Sequence, residues 1–282
     1  MTTIDPNPPT LSEAARFGLD YARQQLAGKS ILVLTGAGVS TESGIPDYRG
    51  EGKTERHPMT FDVFMGSVDA RRRYWARSYV GWSVIANAKP NGSHFALAQA
   101  ESLGRIAHIV TQNVDSLHQQ AGSKKVTDLH GRLDQVICMS CQLVLPRLQM
   151  DHLIEELNIG IRKDLNVEFT PDGDAEVEAS SNFQIPDCPS CSGVLKPDVV
   201  FFGESVPSSR VLATMAELER LDALVVAGSS LTVNSGMRFA RAASKQGKPI
   251  VIVNIGPTRA DDIAVAKIEA PTSLALEELL IA

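Results

Sequence analysis

Apolar positions along this chain follow two rhythms. Residues 11–27 ("LSEAARFGLDYARQQLA") repeat at helical spacing and stop at Gly28, a plausible C-terminal cap. Ile31–Leu34 is then a short unbroken run of branched residues, read as a strand. The stretch "HPMTFDVFMGSVDARRRYWARSYVGWSVIANA" is helical and amphipathic, as is "PNGSHFALAQAESLG", which Gly104 closes. Ala107–Thr111 is a second short strand that gives way to a polar turn and a helix, and "KKVTDLHG" holds a third. "LKPDVVFFGE", "ALVVAGSSLTV" and "PIVIVNIG" repeat the strand pattern, each ending in a turn that carries Gly or Ser. Strands alternating with helices predict an α/β fold, a Rossmann-like doubly wound parallel sheet with helices on both faces. Ligands of such sheets lie beyond the carboxyl ends of the strands, so the polar turns should share one site.

One segment breaks the rhythm. Asp151–Ser180 holds nine acidic residues against two basic ones, a local charge of −7 in a chain whose net charge is −6. It reads as a solvated, acidic extension of whatever surrounds it. With the rest of the chain close to neutral, a general nucleic-acid footprint of clustered Lys and Arg is not expected. No apolar run approaches the roughly 20 residues that span a bilayer. The opening "MTTIDPNPPT" has three prolines and no signal-peptide pattern, so it reads as a disordered lead and the protein as cytoplasmic. At 282 residues, 43% apolar and 21% charged, the chain suits one large globular domain or a domain carrying an insertion.

The four cysteines form two pairs, Cys138-x-x-Cys141 and Cys188-x-x-Cys191, with 46 residues between them. In a reducing compartment this spacing reads as one four-thiolate zinc site, closed to substrate and therefore structural. Redox C-x-x-C motifs or buried thiols are the alternative.

The turns carry the remaining chemistry. "ILVLTGAGVSTESGIPDYRG" hands a strand over to glycine, but it lacks both the third glycine of the G-x-G-x-x-G fingerprint and the lysine of a Walker loop. Gly36 and Gly38 would let backbone approach a phosphate. Taken in order, "GAGVSTESGIPDYRG", "TQNVDSLH", "LHG", the two knuckles and "LKPDVVFFGE" resemble the sirtuins, NAD-dependent protein deacylases, from about residue 11 to the C-terminus. "PDGDAE" and "NIGPTRAD" resemble the class II branch, which includes one of the mitochondrial sirtuins.

That resemblance implies NAD as co-substrate, one structural zinc, and acylated lysine in a protein or peptide as the partner. Nicotinamide would leave C1′ of its ribose while the acyl oxygen attacks, and the developing charge would need shelter from water. The cofactor-binding set implied is Gly36, Ala37, Gly38, Ser40, Ile45, Asp47, Tyr48, Arg49, Gln112, Asn113, Val114, Asp115, Gly228, Ser229, Ser230, Asn254, Ile255, Gly256 and Thr272. Within it Ile45, Asp47, Tyr48 and Arg49 would close over the nicotinamide, with Gly50-Glu51-Gly52 supplying flexibility. Asn113 and Asp115 would hold the nicotinamide end, and Gln112 would contact its ribose. Ser229 and Ser230 would touch phosphate or ribose, and Asn254 the adenosine ribose. The catalytic residues implied are His130, as general base on the ribose hydroxyls, and Asn113. An imidazole suits that task near neutral pH. "VVFFGE" would pair with the substrate backbone, a mode that tolerates many sequences.

The domain boundaries expected are a lead at 1–10, a discontinuous NAD-binding domain at 11–50, 88–135 and 194–282, a helical part at 51–87 and a zinc module at 136–193. Two other functions compete. Mono-ADP-ribosyl transfer uses the same cleavage with another acceptor. A nucleotide-binding zinc-knuckle module without turnover would not need Gln112, Asn113, Asp115 and His130. For the acyl chain, some sirtuins that remove acidic acyl groups carry Tyr-x-x-Arg, and Tyr74 and Arg77 have that spacing on one helical face. Measured from "PNGSH", a shift of one helical turn brings Ser78 and Gly81 there instead.

Overall fold

The computed structural model describes residues 10–47, 58–160 and 182–282. Its strands, in chain order, are β1 (Ile31–Thr35), β2 (Ile106–Thr111), β3 (Val126–Asp128), β4 (Gly131–Cys138), β5 (Val144–Pro146), β6 (Leu195–Val199), β7 (Ala223–Ala227), β8 (Ile250–Val253) and β9 (Ala266–Ile268). Six of them make one sheet in the order β3-β2-β1-β7-β8-β9, and every pairing in it is parallel. The order reverses between β1 and β7, which makes their carboxyl ends the switch point.

The helices are α1 (Glu13–Leu26), α2 (Phe61–Gly66), α3 (Val68–Asn87), α4 (Gly92–Ser102), α5 (Leu117–Gln120), α6 (Arg147–Leu157), α7 (Ser208–Arg220), α8 (Asn234–Lys245) and α9 (Thr272–Leu280). Ser12 caps α1 through Ala15 N at 3.1 Å, and Gly28 follows it in the left-handed region, as the sequence predicts. Two cores flank the sheet. Ile31 and Val33 of β1, Ala223 and Val225 of β7, and Val251 and Val253 of β8 face α1, α4 and α9. Leu32, Leu34, Leu224, Val226, Ile250 and Ile252 face the other way, toward α7 and α8. With both faces covered, each of the Val, Leu and Ile side chains contributes about 1.5–3 kcal/mol by burial, and the strands read as unbroken apolar runs without alternation.

A third core belongs to the smaller sheet, β5-β4-β6, which is antiparallel and packs with α2, α3 and α6 around Phe64, Trp75, Tyr79, Val136, Met150 and Leu195. This corrects one expectation. "LKPDVVFFGE" is not a strand of the parallel sheet: β6 pairs with β4 and ends at Val199, five residues before Glu204. Beyond β6 the chain turns at Gly203, with a φ of +81°. Its buried and exposed faces do alternate, with Val199 and Phe201 buried and Phe202 exposed.

The acidic stretch departs from its expected solvated face at its first residue. Asp151 is not on a solvated face; it is 2% exposed and accepts from Arg147 Nε at 2.9 Å. Arg147, itself buried, also donates to Ser78 Oγ and the Ser78 carbonyl, and its guanidinium lies over both Trp75 and Trp82. The pair brackets α6 to α3. Residues 161–181, including most of the insert, lie outside the described residues.

Candidate active site and metal centre

At the switch point the backbone itself makes the site. Gly36 N donates to Ala227 O at 3.0 Å and Gly38 N to Gly228 O at 2.8 Å, so the turn after β1 lies flat against the turn after β7. A Cβ on Gly38 would stand 2.9 Å from Gly228 Cα, and one on Gly228, whose φ is +59°, would stand 2.5 Å from Val39 N. Only glycine permits that approach. Ala37 sits inside the short 3₁₀ turn Ala37–Val39.

Ser40 follows, 1% exposed, and is a junction. It donates to Asp115 Oδ2 at 2.7 Å and accepts from Asn113 Nδ2 at 2.9 Å. Asn113 and Asp115 leave β2 through a turn braced by Asn113 N on Thr111 Oγ1 and Leu117 N on Asp115 Oδ1. Burial raises the Asp115 carboxyl, and the hydrogen bonds from Leu117 and Ser40 oppose it. Val114, between them, accepts from Leu133 N through its carbonyl, which ties the turn to β4. The glycine turn and the β2 turn are thus one unit.

His130 ends the β3 connection. Its Nδ1 lies 2.9 Å from the Gln112 carbonyl and its Nε2 lies 2.8 Å from Ser235 Oγ. Burial is the first cause that pushes this imidazole below its ordinary value, so at neutral pH it is uncharged. Because a carbonyl only accepts, Nδ1 holds the proton and Nε2 holds the lone pair. Gln112 Oε1 accepts from Ser229 Oγ at 2.6 Å, which brings the β7–α8 turn into the same network.

The remaining expected residues divide. Asn254 follows β8 directly, but its amide nitrogen donates to the Ile255 and Gly256 carbonyls, closing its own turn. Ile255 is 71% exposed beside it. Ser230 faces Thr232 across a 3.1 Å contact. Thr272 opens α9 and lies 2.8 Å from Ser93 Oγ on α4; next to it Ser273 donates to Glu42 in the loop after the glycine turn. Ile45 is buried in the core of the smaller module, with its N on Ser40 O. Asp47 is the last described residue of its segment; Tyr48, Arg49 and Gly50-Glu51-Gly52 lie outside the described residues. Tyr74 is buried against Phe64 and Phe201, while Ser78 and Gly81 are also buried and Ser78 is engaged by Arg147.

Two histidines behind the cluster have no role that the sequence alone suggests. His94 Nδ1 accepts from Asn91 N at 3.3 Å, which leaves its Nε2–H toward Ser40 Oγ at 3.5 Å. His118 Nε2 lies 2.9 Å from Thr35 Oγ1, and the two rings are 4.9 Å apart. Both are essentially unexposed. "PNGSH" and "TQNVDSLH" contain them, but only their convergence on Ser40 and Thr35 gives them a task.

Burial lowers His94 to about 4 and His118, with His94 as a second cause, to about 3, against an ordinary value near 6.5. The unfolded chain takes up these two protons at a higher pH than the folded one. Stability is therefore complete above about pH 6.5 and falls as pH drops toward 4. Between pH 7 and 5 the pair should remove about 4 kcal/mol, read as a lower urea midpoint, and glutamine at both positions should flatten that loss. A wild-type midpoint equal at pH 7 and 5 contradicts this burial.

The cysteines meet at the far end of β4. Cys138 and Cys191 sulfurs are 3.5 Å apart, Cys141 and Cys188 3.7 Å, and all four lie within 4.8 Å of one another. A tetrahedral zinc with bonds of about 2.3 Å needs sulfurs about 3.8 Å apart, so the set fits, and the separations are far beyond a disulfide bond. Each knuckle closes the same way: Gln142 N donates to Cys138 O, and Ser192 N to Cys188 O. Gln142 and Ser192 have φ of 61° and 57°. That left-handed geometry is why a glycine would be comfortable at Ser192. Zinc bound here would crosslink two loops, with no position left for substrate.

A doubly wound sheet with amide and carboxylate side chains crowding its switch-point glycines defines a nucleotide-dependent enzyme class, and comparison with known proteins places it. Residues 36–235 match the Sir2 family. The chain is 52% identical over 250 residues to an NAD-dependent protein deacetylase of Xanthomonas campestris pv. campestris (strain 8004), covering 87% of this chain and 85% of that one. It is 50% identical over 254 residues to an NAD-dependent protein deacetylase of Bordetella bronchiseptica, covering 89% and 92%. Among solved structures, a Sir2 complex with a p53 peptide and NAD+ superposes with a TM-score of 0.73 at 30% identity, covering 91% of this chain and 94% of that one. This chain belongs to the Sir2 family.

Proposed function

We propose that the protein is an NAD-dependent protein lysine deacylase that moves the acyl group of a lysine to ADP-ribose as nicotinamide leaves. The observation that carries this reading is the meeting of Asn113 and Asp115 on Ser40, directly beneath the glycine turn, with His130 anchored to the same strand end. Binding of adenosine and phosphate alone needs neither a buried carboxyl nor an uncharged imidazole with Nε2 deprotonated.

In this reading Gly36, Ala37 and Gly38 receive the pyrophosphate through backbone N–H groups. Asn113 and Asp115 orient the nicotinamide amide; Gln112, Ser229 and Ser230 contact ribose and phosphate; and Asn254, Ile255, Gly256 and Thr272 form the adenosine end. Ile45 and Asp47, with Tyr48 and Arg49, belong to the segment that closes over the nicotinamide. His130 Nε2 accepts a proton from a ribose hydroxyl, which frees that oxygen to attack the acyl carbon. The acylated lysine arrives on an extended peptide along Val200–Gly203. That stretch is held in place by Lys196, which pairs with Glu204 at 3.1 Å, while Glu204 accepts from Phe201 N at 2.8 Å. The nucleotide domain of this reading takes in residues 11–50, 88–135 and 194–282, apart from β4 and β6, which belong to the small sheet and its core. Among the described residues no helix is long and apolar enough to cross a membrane.

The products test the assignment. With NAD labelled in its adenosine half and an acyl-lysine peptide, the label should leave as a small acyl-ADP-ribose, and the peptide should lose its acyl mass. Label retained on protein would replace deacylation with mono-ADP-ribosyl transfer.

A further inference from the structure

Ser235 stands where the site has an unexpected donor. It lies in the first turn of α8, is 8% exposed, and places its hydroxyl 2.8 Å from His130 Nε2. With the Nδ1 proton committed to the Gln112 carbonyl, the Ser235 hydroxyl must donate to Nε2. The position of Ser235 is itself fixed. Gly236 next to it packs so closely on Gln112 that a Cβ there would meet Gln112 Nε2 at 2.7 Å. Ser229, at the other end of the same β7–α8 connection, donates to the Gln112 side chain. The β7–α8 connection and the first turn of α8 thus grip Gln112 on its side chain and His130 on its far nitrogen.

We propose that Ser235 is a positioning residue for His130: its hydroxyl fixes the ring plane at the second nitrogen and holds the Nδ1–H tautomer ready before substrate arrives. A ribose hydroxyl then takes the place of Ser235 at Nε2 as the serine side chain rotates away. This inference rests on His130 being the base of the deacylase reading.

The charged groups on the surrounding elements do not supply this function. Asp128 of β3 accepts from Gln119, Asp115 is held by Ser40, and Asp198 of β6 pairs with Arg210 of α7 at 3.1 Å. Arg210 is the one whose charge reaches His130, and it acts in the same direction as burial. A donor on the lone pair favours the uncharged ring as well, so its removal makes His130 easier to protonate.

The test is the titration of His130 by NMR in Ser235→Ala and Ser235→Thr, with the His130 signal assigned by its absence from His130→Ala. In Ser235→Ala the midpoint should rise by about 0.5–1 unit and the acid limb of the rate profile should move with it. Its kcat should fall about threefold to tenfold with KM for NAD and the thermal midpoint unchanged, and Ser235→Thr should restore both. An unmoved His130 midpoint in Ser235→Ala overturns the proposal. So does a lost thermal midpoint that threonine fails to recover, since that marks a packing role. If His130→Ala itself keeps its activity, the base assignment has failed first, and that outcome is distinct from either.

Discussion

His130→Ala should still bind NAD but lose deacylation by about 10²–10⁴-fold, the usual loss for a general base. The geometry gives the reason. The ring is pinned by the Gln112 carbonyl, and its other nitrogen is an uncharged acceptor at the strand ends. Alanine removes that acceptor while leaving the glycine turn and the Ser40–Asn113–Asp115 cluster untouched, because none of their hydrogen bonds involves His130. Nicotinamide departure precedes the step the base serves, so base exchange with labelled nicotinamide should persist. Turnover within a few-fold of wild type would remove His130 from the mechanism. The wild-type rate should also be flat near neutrality and fall only below the ordinary imidazole range, because burial keeps the ring uncharged.

Stripping the metal should be as damaging by a different route. Structural zinc sites hold about 10–16 kcal/mol of apparent binding energy in small peptides at neutral pH, and that energy is folding energy. Here β4 runs directly from Gly131, the residue after His130, to Cys138, the first ligand. β6 returns from the second knuckle and delivers Val200 N to the His130 carbonyl at 2.8 Å. Unfolding the knuckles therefore releases both strands that seat the histidine. Zinc content should be one per chain, and chelation should abolish activity together with near-UV ellipticity from the Trp75 and Tyr79 core. A fully active Cys188→Ala variant, or an active preparation with far less than one zinc, would contradict this.

The parts of the molecule that are legible in the sequence are those whose chemistry is local. A branched run that stops at Gly36 can only be a buried strand meeting a turn, and two C-x-x-C knuckles close on themselves whatever surrounds them. Gly28 and Gly104 mark helix ends because a left-handed residue is needed there, and both have positive φ. The features that escape such a reading depend on partners distant in sequence. Leu195–Val199 reads Leu-Lys-Pro-Asp-Val, and nothing in so short and mixed a stretch says whether its neighbour is parallel β1 or antiparallel β4. Ala266–Ile268 is three residues long and too short to show any period. Asp151 reads as solvated because it opens an acidic stretch; its partner Arg147 lies one turn back on the same helix, but Ser78 and the two indoles that bury the pair come from α3, about 70 residues away. Ser235 is one serine among several at the start of α8 and before it until the fold places it on His130.

In the deacylase reading, cleavage of NAD and removal of an acyl group are one coupled event at this switch point. Nicotinamide release, followed with and without an acyl-lysine peptide, tests it most directly. Release should be slow with NAD alone, rise sharply when the acylated peptide is added, and match deacylated peptide one for one. Equal release with and without the acylated peptide, or NAD left uncleaved when both are present, would contradict the account.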